Sequence, residues 1–149
     1  MVEQDDGLEV STSKEETKTM EPAETIDENT EEEITKMTVT VGGKTFLATL
    51  EENDAVTEFI QMMKENPVTI DMSDYSGFEK VGSLGRNLTT SNEQTTTTAG
   101  DIVLYNGNQI VIFYGSNSWS YTRLGKIDDL SGWEAALGSG DVSVTFSVN

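Results

Sequence analysis

The hydrophobic pattern of the chain changes character at Met37. From there apolar and polar residues alternate through Thr38-Val39-Thr40-Val41, stop at Gly42-Gly43, and alternate again through KTFLATL at 44–50. A period of two sends successive side chains to opposite faces of a strand, and a loop of two glycines accepts the positive φ of a tight turn, so 38–50 is predicted to form a β-hairpin. The period then lengthens. Val56, Phe59, Ile60 and Met63 fall at i, i+3, i+4 and i+7 behind Asn53 and Asp54, which predicts a capped amphipathic helix that Pro67 ends. VTIDM at 68–72 reads as a further strand, SDYSGFEKVGSLGRNL at 73–88 as irregular chain, and TTSNEQTTTTAG at 89–100 as a long exposed polar loop.

The clearest hairpin signal is DIVLYNGNQIVIFYG at 101–115, where Asn106-Gly107 separates two apolar runs. Ser131 and Glu134 have the spacing of a capping box ahead of WEAAL (133–137), and Gly138 closes that short helix. DVSVTFSV at 141–148 alternates once more, with Val142, Val144, Phe146 and Val148 on one side. Many short strands with two short helices describe a mainly β domain, built as an antiparallel barrel or a sandwich.

Composition adds a second regime. Residues 1–36 hold 13 acidic residues against 3 lysines, with almost no aromatic or branched apolar side chains, whereas 37–149 hold 14 acids against 6 bases. A segment that cannot bury apolar surface cannot offset its chain entropy, so 1–36 is expected to be a disordered acidic tail and 37–149 the folded domain, a monomer. The net charge of −18 argues against nucleic acid as a partner, since phosphates would be repelled. The chain has no apolar stretch of about 20 residues, so no membrane insertion is expected. If a signal or anchor was removed ahead of Met1, the domain is secreted or tethered at the cell surface; otherwise it is cytoplasmic.

With no His and no Cys in the sequence, imidazole and thiol chemistry are closed: nucleophilic dyads and triads that need either group, thiolate or imidazole zinc sites, and redox pairs. No cofactor and no catalytic residue is assigned. The acids Asp71, Asp74 and Glu79 could offer oxygen ligands to Ca²⁺, but their spacing does not match an EF-hand loop, and carboxylates on turns are common solubilisers. Asp128-Asp129 reads as a turn and helix N-terminus, and GSNS (115–118) and GSG (138–140) as turns without the lysine of a phosphate cradle.

The succession VTIDMSDYSGFEKVGSL, AGDIVLYNGNQIVIFYG and SYTRLGKIDDLSGWEAALGSGDVSVTF resembles a bacterial family of small cyclophilin-like domains, mostly of unassigned function, over about 37–149. The resemblance implies a closed cyclophilin-like β-barrel of about eight strands with a helix toward each end. Cyclophilins are peptidyl-prolyl isomerases that hold the prolyl amide with an Arg, and matching their FHRxI stretch to Phe78-Glu79-Lys80-Val81 sets Lys80 in the place of that Arg. Matching a second stretch to Tyr121-Thr122-Arg123-Leu124-Gly125 sets Tyr121 in the place of a His. A lysine is a point charge without the planar fork of a guanidinium, so both departures weaken the isomerase reading.

A groove is expected where Trp119, Tyr121 and Arg123 share one face of a strand by alternation, with Tyr75, Phe78 and Lys80 facing them. Thr122 and Leu124 then face the core. An apolar floor with a few polar tips and one guanidinium would suit a peptide or a small carboxylate. The competing reading makes Phe113 core, Trp119 a cover for the barrel end, and Arg123 the ion-pair partner of Glu79 or an Asp. The function expected is a non-catalytic binding module, and the alternative is a weak or atypical prolyl isomerase.

Overall fold

The computed structural model describes residues 34–148, and the acidic segment of 1–33 lies outside them. Its first strand, β1 (Lys36–Val41), turns at Gly42-Gly43 into β2 (Lys44–Leu50), as the alternation requires. Lys36 opens β1, and Ile34 packs against the core. Helix α1 (Asp54–Glu65) follows, with Asn53 as its N-cap: the Asn53 side-chain oxygen accepts from the Val56 N–H at 2.9 Å. Ala55, Val56, Phe59 and Met63 are buried.

The next strand corrects the expectation of irregular chain. β3 (Val68–Tyr75) runs on past Met72 and turns into β4 (Glu79–Ser83), pairing Tyr75 with Glu79 and Ser73 with Val81. Ser76 and Gly77 supply the turn at φ of 56° and 76°, and the Gly77 N–H donates to Asp74 Oδ2 at 3.2 Å. The interior positions of β4 are Lys80 and Gly82, one charged and one without a side chain, which is why no apolar alternation marks this strand.

The polar stretch 89–100 also contains a strand, β5 (Glu93–Thr96), paired to the outer part of β8. It is polar and almost wholly exposed, which leaves no hydrophobic pattern to read. The predicted hairpin is present as β6 (Asp101–Tyr105) and β7 (Gln109–Phe113) about Asn106-Gly107, followed by β8 (Ser118–Ile127). Helix α2 (Trp133–Leu137) is not entered through a Ser131 capping box: Gly132 is the N-cap at φ 78° with no side-chain cap bond, and Asp129 accepts from the Ser131 N–H instead. Strand β9 (Val142–Ser147) ends the fold.

The nine strands follow one another in the order β2-β1-β9-β3-β4-β7-β6-β8-β5, and β2 pairs back to β8. That last pairing closes eight strands into an antiparallel barrel and leaves β5 as an extra strand beyond the ring. The interior is filled by Val39, Ala48, Ile70, Ile102, Ile110, Leu124 and their neighbours. The helices sit toward opposite ends of β2. Helix α1 leaves its C-terminal end and packs Phe59 on Phe146 with ring centres 5.7 Å apart. Trp133 of α2 meets Phe46 near the other end, edge to face at 5.0 Å. Trp133 also donates from Nε1 to the Phe113 carbonyl at 2.9 Å, so the buried indole leaves no orphaned donor. Among the described residues no helix is long and apolar enough to cross a membrane.

Candidate functional site

A second apolar cluster lies apart from the barrel interior, on the other face of β4, β7, β6 and β8. Val103, Val111, Phe113 and Tyr121 are buried there, with Phe78 and Val81 packed against them. Alternation accounts for it. Glu79 and Val81 stand opposite Phe113 and Val111, and Val103 stands opposite Val111 and Arg123. The residues between them, Lys80, Ile112 and Ile102, belong to the inner face.

Above this cluster the rings form a chain of contacts. Tyr75 meets Phe78 edge-on at 5.8 Å, Phe78 stacks near-parallel on Phe113 at 6.5 Å, and Phe113 meets Tyr121 at 5.7 Å, which meets Tyr105 at 6.2 Å. Gly115 lets the end of β7 come close to Phe78, since a Cβ there would lie 2.7 Å from the Phe78 Cβ. The result is a groove of about 450 Å³ whose walls include Tyr75, Phe78, Glu79, Tyr105, Trp119 and Tyr121. Tyr75 and Trp119 are more than half exposed at its rim.

Glu79 is the chemically distinctive member of that lining. It is only 7% exposed, and its Oε1 is buried without a hydrogen-bond partner. Burial, together with the negative charge of Asp74, pushes its carboxyl up to about 7 from an ordinary 4.5. Tyr121 is buried at 3% exposure, its hydroxyl accepts from Asn117 Nδ2 at 2.8 Å, and burial raises its titration above the ordinary range.

Of the residues singled out from sequence, Tyr75, Phe78, Trp119 and Tyr121 come together in the groove, while Lys80 and Arg123 lie outside its lining. Lys80 is fully buried on the inner side of β4, where its ammonium donates to the Gly140 carbonyl at 2.6 Å and to Asp74 Oδ1 at 3.2 Å. It also lies 5.5 Å from the centre of the Tyr114 ring. The Tyr114 hydroxyl donates to Asp74 as well, and this bond holds the Asp74 carboxyl below its usual range and pushes Tyr114 up to about 12.

Arg123 turns away toward the β5 side of its strand. Its Nη2 donates to Asp101 Oδ1 at 2.9 Å and its Nη1 to Thr95 Oγ1 at 3.3 Å. Lys126 reaches the same Asp101 oxygen at 3.2 Å, and Asp101 is almost wholly buried. The odd-numbered side chains of β8 therefore share a face without sharing one environment: Trp119 is open, Tyr121 is buried in the outer cluster, and Arg123 serves an ion pair. Thr122 and Leu124 are both fully buried on the even side.

The carboxylates considered for Ca²⁺ do not converge either. Asp74 pairs in register with Lys80, and Glu79 with Tyr75, so Asp74 and Glu79 face opposite sides of the sheet. Among the described residues no group of three acidic side chains could hold a metal ion. Asp128 and Asp129 are structural: Asp128 accepts from Lys36 and Thr49, each at 2.6 Å.

Sequence reasoning named Glu79 only as a metal ligand or a partner for Arg123, and did not name Tyr105 as a site residue. The parity of β4 carried the signal, because Glu79 has the parity of Val81 and Lys80 has that of Gly82. Comparison with known proteins bears on the same domain. Neither the curated proteins nor the solved structures give a significant match. A family model described as the Cyclophilin-like family matches residues 39–147, from the first strand of the barrel to its last. That match spans well over half of the chain and coincides with the closed barrel, and the chain belongs to the Cyclophilin-like family.

Proposed function

We propose that the domain is a non-catalytic cyclophilin-like binding module that receives a segment of peptide in the outer groove between Tyr75 and Trp119. The observation that carries this reading is the groove itself: an aromatic wall on the outer face of a closed barrel, with polar groups from Glu79, Gln109 and Asn117 among its lining. Exposed rings such as Trp119 and Tyr75 bury large area at low cost in side-chain entropy, which suits them to contacts with a partner.

An isomerase would need a fixed cation over the prolyl amide as it twists. The position that family matching assigns to that cation is Lys80, which is buried inside the barrel end and committed to Asp74 and Gly140. The groove offers Glu79 on that strand instead, and a carboxyl cannot stabilise charge on an amide oxygen as a guanidinium does. The same carboxyl disfavours a small carboxylate as ligand, and Arg123 is already engaged by Asp101.

The test is a paired measurement on one Ala-Pro peptide: cis/trans exchange by NMR, and shift changes in the isotope-labelled domain. The expected result is shifts at Trp119 and Tyr121 with exchange no faster than in buffer. Exchange within about a hundredfold of an ordinary cyclophilin would promote the altered isomerase in place of the binding module.

A further inference from the structure

We propose that the chemical group this groove selects is a cation, a lysine or trimethyl-lysine side chain of a peptide, paired with Glu79 among the rings of Tyr75, Phe78, Tyr105, Trp119 and Tyr121. The proposal rests on the groove being the ligand site and adds the charge of what enters it.

Three independent features converge. The first is an unsatisfied group: Glu79 is 7% exposed with Oε1 lacking any partner, and a buried carboxyl without a partner costs free energy that an entering cation would recover. The second is the wall. Aromatic rings carry negative faces, and a cation brought among several of them is attracted in a way that an anion or a neutral chain is not. The third is the lack of compensation: among the described residues no lysine or arginine lines the groove, and residues 37–149 hold 14 acids against 6 bases. The field around the domain therefore gathers cations and disperses anions before any contact is made.

Size agrees with the assignment. A lysine side chain can lay its methylene stem along the apolar walls while its head reaches a carboxyl, and a space of about 450 Å³ holds such a side chain with its flanking backbone. A neutral apolar side chain of equal length would cover the same rings yet leave Glu79 unpaired.

The test uses the full chain and four acetylated tripeptide amides with alanine on both sides of lysine, trimethyl-lysine, norleucine or glutamate. Binding is followed by shift changes at the Trp119 indole and by titration calorimetry. The lysine and trimethyl-lysine peptides are expected to bind about tenfold tighter than the norleucine peptide, with the glutamate peptide weakest. Glu79→Gln should bring the lysine and norleucine peptides to within about threefold of each other, the residual preference coming from the rings. Trp119→Ala, a change at an exposed rim residue, should weaken the cationic peptides without affecting the fold.

If the norleucine peptide binds as well as the lysine peptide, or if Glu79→Gln leaves the lysine preference intact, the groove remains a peptide site and the cation proposal falls. If none of the four peptides shifts Trp119 or Tyr121 at millimolar concentration, the groove reading itself falls, and the cation proposal with it.

Discussion

Glu79 stands opposite Phe113 across the β4–β7 ladder and belongs to the outer groove, while its neighbour Lys80 stands opposite Ile112 and belongs to the barrel interior. One residue of register separates a groove carboxyl from a buried structural ammonium, and the consequences can be measured on each.

Glu79→Gln should change how stability depends on pH. The folded carboxyl titrates near 7 and the unfolded one near 4.5, so between these values the folded state holds more protons than the unfolded state, and stability falls as pH rises through that window. The lowered carboxyls Glu58, Asp74, Asp128 and Asp129 act in the opposite sense at more acidic pH, where stability is lost as pH falls. Urea denaturation at pH 5, 6, 7 and 8 should therefore show a declining wild type and a flatter Glu79→Gln variant. Parallel curves for the two proteins would contradict the burial of Glu79.

Lys80→Arg should not create an isomerase, because the side chain is directed inside the barrel end and not into the groove. Lys80→Ala should cost about 2–4 kcal/mol, since it removes a fully buried stem and strips Asp74 of one of its partners. Lys80→Met keeps the stem and should cost less than Lys80→Ala. Equal losses for the two variants would mean that the stem contributes nothing.

Arg123→Ala should lower stability by about 1–2 kcal/mol while leaving groove binding in place, since its guanidinium serves the buried Asp101 and Lys126 remains to contact the same oxygen. Loss of peptide binding with unchanged stability would return Arg123 to the site.

Phe59→Ala should cost about 3–5 kcal/mol in chemical denaturation, as its ring is fully buried against Phe146. A loss below about 0.5 kcal/mol would place that ring in solvent and break the account of α1 as a cover on the barrel.

These residues also show which parts of the molecule were legible in the sequence. Phe59, Val39 and Phe146 lie on elements whose apolar period matches their geometry, and Ile110 lies on one of two apolar runs about Asn106-Gly107, so the two hairpins, the first helix and the final strand could be read directly. β4 and β5 could not. β4 puts Lys80 and Gly82 on its inner face, so burial there is achieved without apolar side chains, and β5 is held by its backbone ladder and by polar contacts such as Arg123 to Thr95 and Thr96 to Ser118. Four of the aromatic and charged residues picked as a groove do meet, because alternation on β8 and proximity across the β3–β4 turn both act locally. The parting of Lys80 from them follows from the parity of β4, once that stretch is known to be a strand, whereas the parting of Arg123 depends on a partner distant in sequence, Asp101, which no local pattern reveals.

The measurement that bears most directly on the site is the titration of the Glu79 side-chain carboxyl carbon by NMR. The charged and titratable groups around it are Asp74 and Tyr75 from β3, Tyr105 from β6 and Tyr121 from β8, and of these only Asp74 is a carboxylate, already ionised through the range of interest. A midpoint near 7 that falls when the lysine tripeptide is added is the predicted result, since a bound cation favours the ionised form. A midpoint near the ordinary 4.5, unmoved by the peptide, would show a solvated carboxyl and contradict both the enclosed groove and its ligand.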